Sequence, residues 1–168
     1  NEGMGKALKL NFSLLNIDFS IGSFQGYDYL PEVNEISYVP VTNNIYNLDN
    51  KMFFPKIQVY TFDLTTSIEG FGFWVEIGVY DYDKIYTSVI TPMGIEKQKL
   101  FDGDPYASYI IGTDYTFENG FYFNLQYSYG LPYLRGKDNL EDYFILTLKD
   151  DFLQGLMEFE FANILGWN

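Results

Sequence analysis

Between Tyr106 and Leu131 the chain reads YASYIIGTDYTFENGFYFNLQYSYGL, with large apolar residues recurring at every second position. Tyr109, Ile111, Tyr115 and Phe117 share one parity, continued by Phe121, Phe123, Leu125, Tyr127 and Tyr129. Ser108, Gly112, Asp114 and Thr116 take the other, continued by Asn124, Gln126, Ser128 and Gly130. Strand side chains point to opposite faces with period two, so this segment is a hairpin with one aromatic and one small polar face. Asn119-Gly120 at its centre is the strongest short hairpin signal. No window of useful length shows the i, i+3, i+4, i+7 apolar spacing of a helix.

Composition narrows the classes. The 168 residues suit one domain, and 20% of them are aromatic, with 16 Tyr and 16 Phe, residues that favour strands. No apolar run approaches the ~20 residues of a transmembrane helix. A membrane-spanning form must therefore be a barrel, the other structure that satisfies its backbone in lipid. Ten Lys and Arg face 23 Asp and Glu, a net charge of −13. That excludes nucleic acid as a partner and argues against anchoring on anionic lipid. The chain has no Cys and no His. Thiolate metal sites, disulfides and the usual His-based nucleophile pairs are thus absent, and the expectation is a protein that is not an enzyme, with no cofactor or metal. NEGMGKALKL carries no apolar leader core, so either a leader was removed or the chain is a segment of something longer.

The same alternation recurs along the chain. Strands are expected at about 6–14, 17–28, 56–68, 71–83, across the opening hairpin, at 142–152 and at 156–165. Leu8, Leu10, Phe12 and Leu14 oppose Lys9, Asn11 and Ser13; Ile17, Phe19 and Ile21 oppose Asp18, Ser20 and Gly22. Tyr60, Phe62 and Leu64 oppose Thr61, Asp63 and Thr65. Phe71, Phe73, Val75, Ile77 and Val79 oppose Gly72, Trp74, Glu76, Gly78 and Tyr80. Phe144, Leu146 and Leu148 oppose Thr147 and Lys149, and Met157, Phe159 and Phe161 oppose Glu158, Glu160 and Ala162. Tight turns fall at Leu15-Asn16, Glu69-Gly70, Glu118-Asn119-Gly120 and near Gln154-Gly155, while irregular connections are expected at about 29–55, 84–105 and 131–141. About eight strands in four hairpins, short turns at one end and long connections at the other, describe an antiparallel up-and-down transmembrane β-barrel in a single domain, 1–168. A soluble up-and-down barrel with uneven loops is the alternative.

Three features place the apolar face outward. The polar face carries Gly, Ser, Thr, Asn and Gln more than a solvated surface would. The apolar faces hold more Phe, Tyr and Leu than an eight-stranded interior accommodates. Tyr27, Tyr29, Tyr80, Tyr82, Tyr106, Tyr127, Tyr129 and Tyr143 lie near strand ends, where tyrosine forms interfacial girdles.

The phrases YIIGTDYTFENGFYFNLQYSYG, DYFILTLKDDFLQG and LLNIDFSIGSFQGYDYLP resemble the repeating hairpins of porin-like β-barrels of bacterial outer membranes. The likeness rests on pattern and spans most of the chain. It implies a Gram-negative outer-membrane location, lipid as a partner, passive transport of small solutes or a structural role, and other barrel subunits or segments as further partners. Larger members have more strands, and ILGWN departs from the aromatic-terminated last strand of such barrels, so the chain is expected to be a whole small barrel or a segment of a larger one. A soluble barrel binding an apolar ligand or protein is the competing function.

Under the membrane reading, Phe71, Phe73, Tyr109, Tyr115, Phe121, Phe123, Tyr127, Phe159 and Phe161 face lipid. Lys9, Asp18, Asp63, Glu76, Asp114, Lys149, Glu158 and Glu160 line the lumen, where an excess of carboxylates biases a pore toward cations. In an isolated eight-stranded barrel the same groups would fill the interior as a paired network. Asp102-Gly103-Asp104, with Asp81 and Asp83 nearby, is a fragment of a calcium-loop pattern without its remaining ligands and reads as a turn. Glu158 and Glu160 lie about 7 Å apart along one strand face, but no further catalytic group accompanies them.

Overall fold

The structure, a computed structural model, describes residues 4–42, 45–152 and 156–167. Twelve strands and one 3-10 turn, Lys137–Asn139, make up its regular elements, with no α-helix among the described residues. Eight strands form one antiparallel meander: β1 (Lys6–Leu14), β2 (Ile17–Tyr27), β5 (Lys56–Ile68), β6 (Phe71–Tyr82), β9 (Tyr106–Thr116), β10 (Tyr122–Tyr129), β11 (Asp142–Phe152) and β12 (Met157–Trp167). These are the alternating segments of the sequence, in the expected parity. The turns at Leu15-Asn16 and Glu69-Gly70 force Leu15 (φ 56°), Glu69 (φ 52°) and Gly70 (φ 87°) into the left-handed region. The turn expected near Gln154-Gly155 lies outside the described residues.

Two connections differ from expectation. The stretches 29–55 and 84–105 are not irregular. They form the hairpins β3 (Glu32–Thr42) with β4 (Ile45–Phe53), and β7 (Ile85–Thr91) with β8 (Gly94–Phe101). These make a second sheet in the order β4-β3-β7-β8, joined by a short parallel pairing of Glu35–Ser37 with Ser88–Ile90. Pro40 masked β3 in the sequence. It is tolerated because β7 pairs only with the first half of β3, and because the β3–β4 register breaks between Pro40 and Thr42. Twelve strands thus replace the expected eight.

The main sheet is open. Among the described residues β1 bonds only to β2 and β12 only to β11, so the sheet does not close into the eight-stranded barrel of the sequence reading. Crowding supplies a reason. Eight strands enclose an interior just wide enough for side chains. Here one face carries Trp74, Tyr80, Tyr82, Tyr106 and Tyr122, and the 131–141 connection also packs against it.

The strands are staggered. Cross-strand partners lead from Leu14 through Ile17, Thr66, Phe73, Thr113, Leu125 and Leu146 to Asn163. Leu14 ends β1 at its turn, yet Asn163 lies six residues beyond Met157, the turn-end residue of β12. The turns therefore step by about one residue per strand. With a rise of ~3.3 Å per residue and a strand spacing of ~4.8 Å, six residues over seven steps equal a tilt of about 30°, just below the ~35–45° of barrel strands.

The two faces are unlike. One carries Leu8, Leu10 and Phe12 of β1, Phe73, Val75 and Ile77 of β6, and Phe159 and Phe161 of β12, with no second layer over it. Its Leu8 and Trp167 are 66% and 70% exposed. Phe concentrates toward the turns, where Phe12 stacks on Phe19 (5.0 Å) and Phe71 on Tyr115 (4.2 Å). Tyr60, Tyr109, Tyr127 and Tyr129 sit toward the long connections. The other face holds the buried polar residues Ser20, Asn124 and Ser128, and a core of Ile57, Tyr82 and Tyr106 against Phe24, Val59, Tyr80 and Leu140. Half of the expected tyrosine girdle is corrected by this: Tyr80, Tyr82, Tyr106 and Tyr143 point to the polar face, because their strand parity matches Gly78 and Ser128. Tyr27, Tyr127 and Tyr129 are on the apolar face, and Tyr29 lies beyond the end of β2.

Gly70 is the residue suited to its φ of 87°, and a Cβ there would also approach the Tyr115 ring at 3.2 Å. Gly70→Ala should cost about 1–2 kcal/mol through left-handed strain, whereas Leu15→Gly should be neutral or stabilising. Equilibrium urea unfolding of the two variants checks this.

Candidate functional site

Cross-strand register brings every sequence-nominated lumenal residue onto one face. Lys9 stands opposite Gly22, Asp18 opposite Thr65, Asp63 opposite Glu76, Asp114 opposite Gly72 and Asn124, and Lys149 opposite Glu160. Glu158 stands opposite Asp151, a carboxylate on the same face that the sequence reading passed over. The nominated outward aromatics Phe71, Phe73, Tyr109, Tyr115, Phe123, Tyr127, Phe159 and Phe161 share the opposite, apolar face. Phe121 precedes β10 and meets Phe117 at 5.7 Å.

The charged groups of the polar face are partly neutralised. Lys9 Nζ lies 3.1 Å from Asp63, which also accepts from Ser20 Oγ. Lys149 Nζ lies 3.1 Å from Glu160, and Ser13 donates to Asp18. Tyr122 Oη donates to Asp114 and accepts from Asn124, which in turn accepts from Gln126 at 2.9 Å. Two pairings go against stability. Asp63 faces Glu76, and Asp151 faces Glu158, as direct cross-strand neighbours. Like charges held opposite one another destabilise a sheet. Among the described residues, Glu76, Asp151 and Glu158 have no cationic partner.

The small residues of this face have a steric purpose. A Cβ on Gly112 would lie 2.3 Å from the Trp74 ring, and one on Gly72 would lie 2.0 Å from Asp114 Oδ1. Large side chains on one strand thus lie across glycines on the next. Elsewhere on the face lies a recess of about 410 Å³ bordered by Lys9, Asp63, Glu76, Gly78, Ser108 and Pro132.

The 131–141 connection closes the upper part of that face. Arg135, the chain's single arginine, donates to Asp28 Oδ2 at 2.8 Å, to Glu32 and to the Leu30 carbonyl at 3.2 Å. Tyr82 Oη donates to the same Asp28 oxygen at 2.6 Å, and Tyr29 Oη reaches the Pro132 carbonyl at 2.9 Å. The Asp28 and Arg135 side chains are only 3% and 10% exposed. Burial alone would raise the Asp28 pKa. Bonds from Arg135, Tyr82 and the Leu30 amide outweigh it and hold the carboxyl below its ordinary 3.8. Sequence reading missed this cluster because Arg135 is over 100 residues from Asp28 and Glu32. The one available signal was a lone Arg among 23 acids.

The aspartates at 102–104 do not gather into a metal site. Lys99 pairs with Asp102, and no group of three or more potential ligands occurs among the described residues. No protein-family model matches the chain, and neither a curated protein nor a solved structure matches it.

Removing Arg135 would strand the buried Asp28 and the part-buried Glu32. Arg135→Met should loosen the 131–141 connection by about 3–5 kcal/mol, read as faster amide exchange and proteolysis there. Because the folded-state pKa of Asp28 is depressed, its contribution is intact above pH 3.8 and is lost as pH falls through the lowered value. Protection of 131–141 should therefore hold from pH 7 to 4.5 and collapse under stronger acid.

Proposed function

We propose that this chain forms the wall of a porin-like β-barrel in a bacterial outer membrane, with the apolar face against lipid and the polar face toward an aqueous path for small solutes. One observation carries the reading: an eight-stranded sheet leaves a continuous Phe-, Tyr- and Leu-rich face without cover while its polar face is the recessed one. In water such a patch is a liability. In a bilayer it is the required outer surface. On β6 the apolar run from Phe71 to Val79 covers roughly 26 Å of strand, or about 23 Å along the membrane normal at that tilt, comparable with the ~25 Å apolar band of outer-membrane barrels. The strand stagger comes near the tilt of a barrel wall, and the aromatic groups toward both strand ends fit the two interfaces.

The conduit is passive and favours cations. Asp18, Asp63, Glu76, Asp114, Asp151, Glu158 and Glu160 outnumber Lys9 and Lys149 on the polar face, and the like-charge pairs Asp63–Glu76 and Asp151–Glu158 are arrangements that a merely structural face avoids.

Two outcomes test this. Val75→Arg, in the middle of the apolar face, should cost about 2–4 kcal/mol on folding into lipid vesicles, while Glu76→Arg beside it costs far less; equal effects would contradict the assignment of faces. Asp63→Asn with Glu76→Gln should lower the cation-over-anion permeability ratio about fifteenfold, since two charges ~10 Å from a passing ion contribute roughly 0.8 kcal/mol in water, favourable to a cation and unfavourable to an anion. Reversal potentials in planar bilayers measure it. A protein that stays monomeric and soluble without detergent would sink the membrane reading altogether.

A further inference from the structure

Under the 131–141 connection the polar face keeps a cavity of about 260 Å³. The tyrosine core is its floor: Tyr80, Tyr82 and Tyr106 border it, with Phe24 and Val59 beside them. Leu131 and Leu134 form its roof. Polar tethers hold that roof in place. Arg135 is tied to Asp28, Glu32 and the Leu30 carbonyl, and Tyr29 donates to the Pro132 carbonyl at 2.9 Å. At the base of the connection the Gly130 amide donates to the Glu141 carbonyl at 2.8 Å. Anchored along its length, the roof is kept from collapsing into the space below it.

We infer that this cavity binds a small neutral phenol, a single aromatic ring carrying a hydroxyl. Volume sets the number of rings. An apolar cavity of about 150 Å³ holds benzene, so this one takes a single substituted ring. The wall sets the shape. The Tyr80 and Tyr106 rings lie 14° from parallel and the Tyr82 and Tyr106 rings 3°, with centroids 5.2 and 6.1 Å apart. A flat guest extends such a row by offset stacking.

Charge sets the ionisation state. Arg135 borders the cavity, but two carboxylates against one guanidinium leave a local charge of −1, which repels an anionic guest. Of the five N–H groups of a guanidinium, Arg135 directs three at Asp28, Glu32 and Leu30. Donor capacity therefore remains for the oxygen of a neutral hydroxyl. Access comes from the side. The cavity shares Tyr80, Ser108 and Pro132 with the recess beside Asp63 and Glu76, so the two adjoin. The inference concerns the polar face and its cap alone, and it holds whichever medium meets the apolar face.

The full chain in detergent micelles is titrated with 4-fluorophenol, followed by fluorine NMR of the ligand. The expected result is saturable binding with a Kd of about 1 mM or below, within reach of so small a ligand. Phenol should displace the probe and benzoate should not. Val59→Phe, which puts a ring into the space, should weaken binding about tenfold or more with the circular dichroism of the folded chain unchanged. Where Val59→Phe does not fold, Leu134→Phe fills the same space from the roof and carries the same expectation. A signal that never saturates and is equal in wild type and variants reports partition into detergent and would overturn the inference. Saturable binding that neither variant weakens would also overturn it, by moving the phenol elsewhere. Displacement by benzoate as strong as by phenol would contradict the neutral guest.

Discussion

Backbone pairing in an extended sheet forces side chains to alternate between two faces, and the rest of this structure follows from that constraint. A ladder of eight strands satisfies its internal amides whatever the side chains are. The side chains then decide what each face meets. One parity is dominated by Phe, Tyr, Leu and Ile from β1 to β12; the other carries Gly, Ser, Asn and carboxylates beside its tyrosine core. Shifting any strand by one residue would exchange the two sets, so register and face identity stand or fall together.

Packing on the polar face is unusual for a face of that composition. The core of that face is built on tyrosines, with Tyr80 and Tyr106 stacked at 5.2 Å and Tyr82 and Tyr106 at 6.1 Å, capped by a connection that a buried Arg–carboxylate cluster holds down. A buried ion cluster contributes little net stability against an apolar replacement, and its value lies in fixing geometry. Here it fixes the 131–141 segment over one end of the recess beside Asp63 and Glu76. The other charges on that face are more exposed and weakly paired, which leaves them able to act on a passing ion.

Much of this was legible in the residues. The eight strands of the main sheet, the parity of each and the side taken by Asp63, Glu76 and Glu160 all follow from period two, because that signal is local and strong. Strands β3, β4, β7 and β8 were not legible. Pro40 and the Asn-rich stretch near it read as irregular, and the pairing of β3 with β7 is a contact between distant connections. The Asp28–Glu32–Arg135 cluster was hidden for the same reason, and Tyr80, Tyr82 and Tyr106 were misread because nearness to a strand end says nothing about which face a side chain takes. Closure failed as an expectation because it depends on the summed volume inside the ring, which no single segment displays.

The central claim is that the two faces of one strand meet two different media. Single cysteines placed in turn from Phe73 to Val79 on β6, spin-labelled in lipid vesicles, test it through collisions with oxygen and with a water-soluble nickel chelate. Labels at Phe73, Val75, Ile77 and Val79 should respond to oxygen, and those at Trp74, Glu76 and Gly78 to the chelate, in strict alternation. Equal access of the chelate to both parities, or alternation in the opposite phase, would contradict the account.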